Sequence, residues 1–234
     1  MKPRYALPLL RSVLHDVRRD VRGVSAIEFA FIAPILIVLY MGMAEVTSAL
    51  MAARKASHAV SAVGDLVAQQ QAMTTSTMAN IFQGADDIMT PFPTTGLLPM
   101  RAFSVSVRSD NSVQVDWACV PAGQSDPSLT LLSLNQIVIS SSGALTAVKG
   151  LSSSQEQSIQ SVLADPTTGQ PSQGASVIVA QGNYTFNSLV GSFSNVIASF
   201  QSPVPMTFSN TYYFKPRQTS VVGWSGATSG QCNG

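Results

Sequence analysis

Glu28 is the residue with the greatest chemical consequence in this chain. It is the only charged side chain between Val24 and Ala44, it follows Gly23 by five positions, and Phe29 comes directly after it. A carboxylate in an otherwise apolar segment carries a desolvation cost, so by default it marks function. At ~1.5 Å of rise per residue, the 21 residues of this run reach about 31 Å as a helix, the thickness of a bilayer's hydrocarbon core.

The other reactive side chains do not assemble a catalytic centre. Of the two histidines, His15 precedes the apolar run and His58 falls on the polar side of a predicted helix, leaving no imidazole for a hydrolytic triad or a zinc site further on. The sequence has no Gly-x-Ser-x-Gly elbow, phosphate-binding loop or dinucleotide fingerprint. Asp86 and Asp87 are adjacent, and neighbouring helical residues point apart, so they read as a solvated helix end. Lys149, three residues after Thr146, makes a poor hydroxyl–lysine dyad. The expectation is a protein that is not an enzyme and needs no cofactor or metal. Cys119 and Cys232 are the only cysteines and lie on the same side of the apolar run. On the oxidising side of a membrane they are expected to form a disulfide, with two unpaired buried thiols as the alternative.

The elements that would position Glu28 follow from charge and periodicity. Lys2, Arg4, Arg11, Arg18, Arg19 and Arg22 against Asp16 and Asp20 give the segment before Val24 a charge of +4, and the rest of the chain is −3. Basic residues beside a span stay cytoplasmic, which places the N-terminus inside and the bulk of the chain outside. Arg54 and Lys55 oppose this weakly, and a nucleic-acid or lipid patch is the competing reading of the basic segment. A cleaved secretory signal, with small residues near Ala49, is the other alternative. The basic stretch is long for such a signal, however, and the carboxylate is unusual there. Pro34 removes one helical hydrogen bond and predicts a bend in the span, while Ala26, Ala30 and Ala33 keep the same region slim.

Beyond the span, Val46, Ala49, Ala53, Ala56, Val60, Val63 and Val67 recur at alternating spacings of three and four, so the helix is expected to continue. That stripe either packs between subunits or covers the protein's own sheet. Thr77 is a candidate cap for a short helix ending near Ile88. Alternation predicts strands over 102–107 and 113–119 joined by a turn at Ser109 to Ser112, and irregular loops with short strands over 121–174. A buried strand over 175–180 leading into Tyr184 to Phe186, a helix over 187–200 and an aromatic strand over 205–215 complete the pattern. Trp117, Trp224, Tyr212 and Tyr213 could form a binding platform, although aromatics in alternating strands are more often core.

The fold class expected is α+β, with a long N-terminal transmembrane helix continuing into an outer domain built on an antiparallel sheet. Charged residues make up 11% of the chain, against a usual ~25%. That composition suits a surface made for assembly or export rather than for ionic binding. The division expected is a basic cytoplasmic leader at 1–23, a transmembrane segment at 24–45, an amphipathic extension of the helix at 46–73 and an extracytoplasmic domain at 74–234.

Gly23, Glu28, Phe29 and the long apolar run together resemble the processing site of type IV prepilins, in particular the TadE-like pseudopilins of the Tad (Flp) pilus system. Val177 to Ala180, Tyr184-Thr185-Phe186 and Thr211 to Arg217 are similar in order to the C-terminal part of those proteins, with Lys215 standing where the family has arginine. The resemblance implies a pilin-like fold and cleavage between Gly23 and Val24 by a prepilin peptidase. It also implies partnership with the major Flp pilin, other pseudopilins and the inner-membrane pilus assembly platform, in contact with the lipid bilayer and with no nucleic acid. In that family Glu28 would pair with the amine that cleavage creates at Val24 of a neighbouring subunit. An intramolecular pair or a helix-dipole effect is the alternative. The competing function is a single-pass membrane-anchored adhesin or ligand-binding protein, which would need no cut at Gly23.

Overall fold

Helix α1 runs from Val24 to Ala68 with Pro34 inside it. The computed structural model describes residues 23–121, 126–127, 129–188, 205–225 and 230–232. By contacts, the chain divides between Thr47 and Ser48 into two compact units. In the first unit the apolar side chains of α1 stand exposed all round, Phe29 at 68% and Tyr40 at 76% among them. In the second unit one stripe of α1 is buried, and it consists almost wholly of Ala and Val: Ala49, Ala52, Ala56, Ala59, Val60, Val63, Val67 and Ala68.

The remaining elements of the second unit are β1 (Ala72–Met73), α2 (Thr75–Met89), β2 (Met100–Val107), β3 (Val113–Pro121), β4 (Ile137–Ile139), α3 (Ser153–Leu163), β5 (Ser176–Phe186), β6 (Met206–Phe214), β7 (Gly223–Trp224) and β8 (Gly230–Cys232). The main sheet has the order β4-β3-β2-β5-β6, every pair along it antiparallel. β8 lies parallel to the end of β3, whose beginning is taken by β4. A separate parallel pair joins β1 to β7. The α+β expectation therefore holds: a long apolar helix leads into a domain built on an antiparallel sheet.

The central strands of the sheet are buried on both faces. One face, carrying Met100, Ala102, Trp117, Cys119, Ile178, Ala180 and Tyr184, packs with the stripe of α1 and with Met78, Ile81, Phe82, Ala85 and Met89 of α2. The other, carrying Phe103, Val105, Val113, Val115, Val177 and Val179, is covered by Ile159 and Leu163 of α3 and by Leu132, Val138 and Val148. A strand alternates its side chains strictly, yet Val113 and Val115 face one core while Trp117 and Cys119 face the other. The cause is a β-bulge: Ser104 pairs with Trp117 and Val105 with Val115, so β3 has one extra residue, Asp116, at that point. The uniform alternation in the sequence conceals this change of face.

Three local expectations are corrected. The N-cap of α2 is Thr74, whose hydroxyl accepts from the Thr77 N–H at 3.1 Å, so Thr77 lies inside the first turn. The stretch read as loops and short strands contains α3, an 11-residue helix that begins with a capping box between Ser152 and Gln155. Cys232, beyond the last element expected from the sequence, belongs to β8. The helix expected over 187–200 falls almost entirely on residues 189–204, outside those described.

The bulge buries Asp116 where Ser104 and Ser106 donate hydrogen bonds to its carboxylate at 3.1 and 2.7 Å and Arg108 lies 3.1 Å away. Desolvation outweighs these partners and holds the Asp116 carboxyl above its ordinary 3.8. A carboxyl that is raised on folding favours the folded state below its unfolded pKa, and that contribution is lost as pH rises through the folded value. Asp116→Asn should therefore gain stability relative to the wild type as pH is raised from about 3 to about 7. Denaturation midpoints of the two proteins measured across that range test this, and a mutant that loses stability relative to the wild type as pH rises contradicts it.

Candidate functional site

Gly23 immediately precedes α1 and Val24 is the helix's first residue. Among the described residues a Cβ built on Gly23 would meet nothing within 4 Å. Glu28 and Phe29 stand exposed on the helix one turn further on. Residues 24 and 28 are separated by one helical turn and share a face. From Ser25 on, the helix is long and apolar enough to cross a membrane, and the strongly apolar part of it is not buried within the protein.

The second half of α1 is held by the C-terminal strand and its sequel. Phe214 of β6 packs over Gly64, where an added Cβ would lie 2.4 Å from its ring. Ser57 and the Tyr212 hydroxyl share a hydrogen bond of 2.5 Å. Arg217 donates its backbone N–H to the Ala68 carbonyl at 2.9 Å, and its guanidinium pairs with Asp65. The C-terminal residues singled out in the sequence, Tyr212 to Arg217, thus close on the last turns of α1. Lys55 reaches the carbonyls of Ile88 and Thr90 at 3.0 and 2.7 Å and neutralises the negative end of α2. The stripe of α1 covers the protein's own sheet. Leu50, Met51 and Leu66 are the large apolar side chains that this half leaves exposed.

The four aromatics do not make a platform. Trp117 is 2% exposed and donates its indole N–H to the Val222 carbonyl at 2.9 Å, with the Trp224 ring 5.4 Å away. Tyr212 packs into the core shared with α1 and Tyr213 into the opposite one. Cys119 is buried on β3, and the parallel register sets Gly230 opposite Cys119 and Cys232 opposite Pro121. Among the described residues no cysteine is free and no cluster of residues could hold a metal ion.

Sequence reasoning missed a polar assembly on the α3 side of the sheet. Arg101 of β2 is 1% exposed and donates from Nε to the Gln181 side-chain oxygen at 2.8 Å and from Nη2 to the Gly150 carbonyl at 2.8 Å. Nη1 also bonds the Thr130 carbonyl, and the guanidinium lies 5.2 Å from the centre of the Phe103 ring. Burial lowers the Arg101 pKa to about 10, and nearby Asp126 opposes the shift. Glu156, fully buried in α3, accepts from the Val148 N–H at 2.6 Å. These charges carry no periodicity or motif; the one trace in the sequence is an arginine at the start of an otherwise apolar strand.

The chain thus joins a long apolar helix, with a carboxylate one turn into it, to a domain whose antiparallel sheet covers the helix's second half. Residues 23–65 match the family model for TadE-like protein. The resemblance read from Gly23, Glu28 and Phe29 is thus shown over this part of the chain, which is similar to TadE-like protein. The match stops short of the C-terminal residues that carried the second part of the resemblance. No curated protein and no solved structure matches the chain.

The docking of α1 depends on close approach at Gly182 of β5. A Cβ there would lie 2.5 Å from Cγ2 of Val60, a β-branched side chain with little freedom to move. Gly182→Ala should destabilise the protein by about 1–3 kcal/mol through overpacking. Adding Val60→Ala should make the pair cost less than the sum of the two single changes. Chemical denaturation of the three variants measures the coupling, and strictly additive losses would place the strain elsewhere.

Proposed function

We propose that the chain is a pseudopilin, a minor pilin that acts in assembly of a Tad/Flp-type adhesive pilus. The observation that carries this reading is the junction at Gly23. The TadE-like match begins there, the apolar helix begins at the next residue, and no described residue packs where a side chain on the glycine would stand. A glycine that serves no internal packing is suited to an external reader, here a prepilin peptidase whose groove must accept extended backbone close to the membrane. In this reading residues 24–45 lie in the bacterial inner membrane, the leader at 1–23 is cytoplasmic and the domain at 74–234 is periplasmic or carried into the pilus. The partners are the prepilin peptidase, the major Flp pilin, other pseudopilins and the inner-membrane assembly platform.

Cleavage gives Glu28 its role. Before the cut Val24 contributes an amide; afterwards it carries an amine with a pKa of ~8, a positive charge at neutral pH. Paired with the amine of a neighbouring subunit, Glu28 would leave the bilayer with its charge compensated, and helices could move together into a fibre. Mass spectrometry of the mature protein should find Val24 at its N-terminus. Glu28→Gln should remain folded, exported and cleaved but should no longer be incorporated or support piliation. Retention of residues 1–23 in the mature protein would overturn the processing. Normal piliation by Glu28→Gln at matched protein levels would sink the assembly role.

A Cys119–Cys232 disulfide belongs to the same reading, because the domain would fold in an oxidising compartment. Its support is the parallel register of β8 on β3, which brings the two positions to the same end of the sheet. It would close a loop of ~110 residues, worth on the order of 4–5 kcal/mol in the chain-entropy account. Maleimide labelling of denatured, non-reduced protein should modify neither cysteine; modification of both removes the bond and weakens the periplasmic placement.

A further inference from the structure

The second unit contains a cleft of about 380 Å³ where the N-terminal end of α3 faces β5 and β6. That volume lies toward the small end of ligand-binding cavities. Its polar lining includes Ser152, Gln155, Gln181, Asn183, Ser209 and Thr211, and among the described residues no ionisable side chain lines it. Leu129 and Leu151 supply an apolar patch at the same site. We propose that this cleft binds a neutral, polyhydroxylated ligand, a saccharide.

The chemistry of the lining selects that class. Side-chain amides and hydroxyls both donate and accept, which is what a ring of hydroxyl groups requires, and each sugar hydroxyl does the same in return. An anion or cation would find no opposite charge in the lining. An extended peptide would seek an apolar or aromatic pocket for an anchoring side chain, and the cleft has only the two leucines. Those leucines are suited to the C–H face of a sugar ring.

The site is also built in advance. Gln181 is 1% exposed and its oxygen is fixed by the Arg101 guanidinium, while its Nε2 donates to no acceptor among the described residues. A buried amide donor left without a partner costs free energy that a ligand oxygen would return. Arg101 also clasps the Gly150 carbonyl, so the loop forming one wall is tied to the strand forming the floor. Gly150 has φ +95, and a Cβ there would lie 2.2 Å from the Thr130 hydroxyl. Only glycine keeps that wall in place. Gln155 reaches across the cleft to the Thr211 hydroxyl at 3.3 Å, a long and exchangeable bond that a sugar hydroxyl can replace.

The inference is independent of the pilus assembly role, and its test leaves that role untouched. Full-length protein, held in a detergent without a sugar headgroup, is applied to an array of neutral hexose and N-acetylhexosamine oligosaccharides, acidic glycans and extended peptides. The wild type should retain one or more neutral oligosaccharides. The double variant Ser209→Ala/Thr211→Val removes two hydroxyls, keeps the shape of the cleft and favours the strand. It should bind the same oligosaccharides about tenfold more weakly, as expected for two neutral hydrogen bonds, with an unchanged melting temperature. Failure of the wild type to retain any neutral saccharide, binding that the double variant leaves intact, or preference for acidic glycans or peptides would each overturn the proposal.

Discussion

The folded unit depends on how closely one helix can approach one sheet. From Ala49 to Ala68 the buried stripe of α1 is alanine and valine, and opposite it stand Gly182 of β5 and, on the helix itself, Gly64 beneath Phe214. The small side chains of the stripe let the helix backbone approach the sheet, whose larger residues, Phe214 over Gly64 among them, pack against it along a long line. Such packing is intolerant of volume. A single methyl at Gly182 runs into Val60, where a larger and looser interface would absorb it. The polar contacts along α1, Ser57 with Tyr212 and Asp65 with Arg217, fix the helix's register on this close-packed line; the ion pair is largely exposed and adds little energy of its own.

Composition reverses along the same helix. Before Thr47 the side chains are large and exposed, with Ile, Leu and Phe on every side; after Ser48 they are small where buried and mixed where exposed. An all-round apolar helix is stable only in an apolar surrounding, whereas a one-sided stripe is what a protein core requires. Glu28 is the exception to the first regime. Its charge is expensive in lipid, and a carboxylate there persists only if a partner supplies positive charge or if it works near the membrane surface. An amine at Val24 would satisfy both conditions.

The legible parts of the chain were those where one periodicity decides the element. The apolar run, the α1 stripe, the β2–β3 hairpin and the aromatic alternation of β6 could all be read because burial on one face leaves a repeat of 3.6 or 2 in the sequence. Helix α3 was not legible: it buries only Glu156, Ile159 and Leu163, its other positions are polar, and its start is marked by Ser152 and Gln155 in a stretch full of similar residues. The bulge at Asp116 was hidden because its apolar neighbours sit on alternate positions whichever face they serve. β8 is three residues long and gains its identity from pairing with β3, a non-local contact that leaves no local trace.

The same limit explains why the junction at Gly23 could be read from the sequence and the cleft could not. The junction is a linear arrangement, glycine then glutamate then an apolar helix, and an external reader would meet it in that order. The cleft draws Leu129, Gly150 with Gln155, Gln181 and Ser209 from four separate stretches and joins them only through the sheet. Its organiser, Arg101, is a buried cation held by a side-chain amide oxygen and two backbone carbonyls. A buried guanidinium so held stabilises less than a well-packed apolar side chain would, and removing it would leave those acceptors unsatisfied. What it contributes is position: two loops far apart in sequence are fixed to β2 and β5 by directional bonds that an apolar contact could not supply. A domain with few charges has placed one of them where geometry matters more than stability.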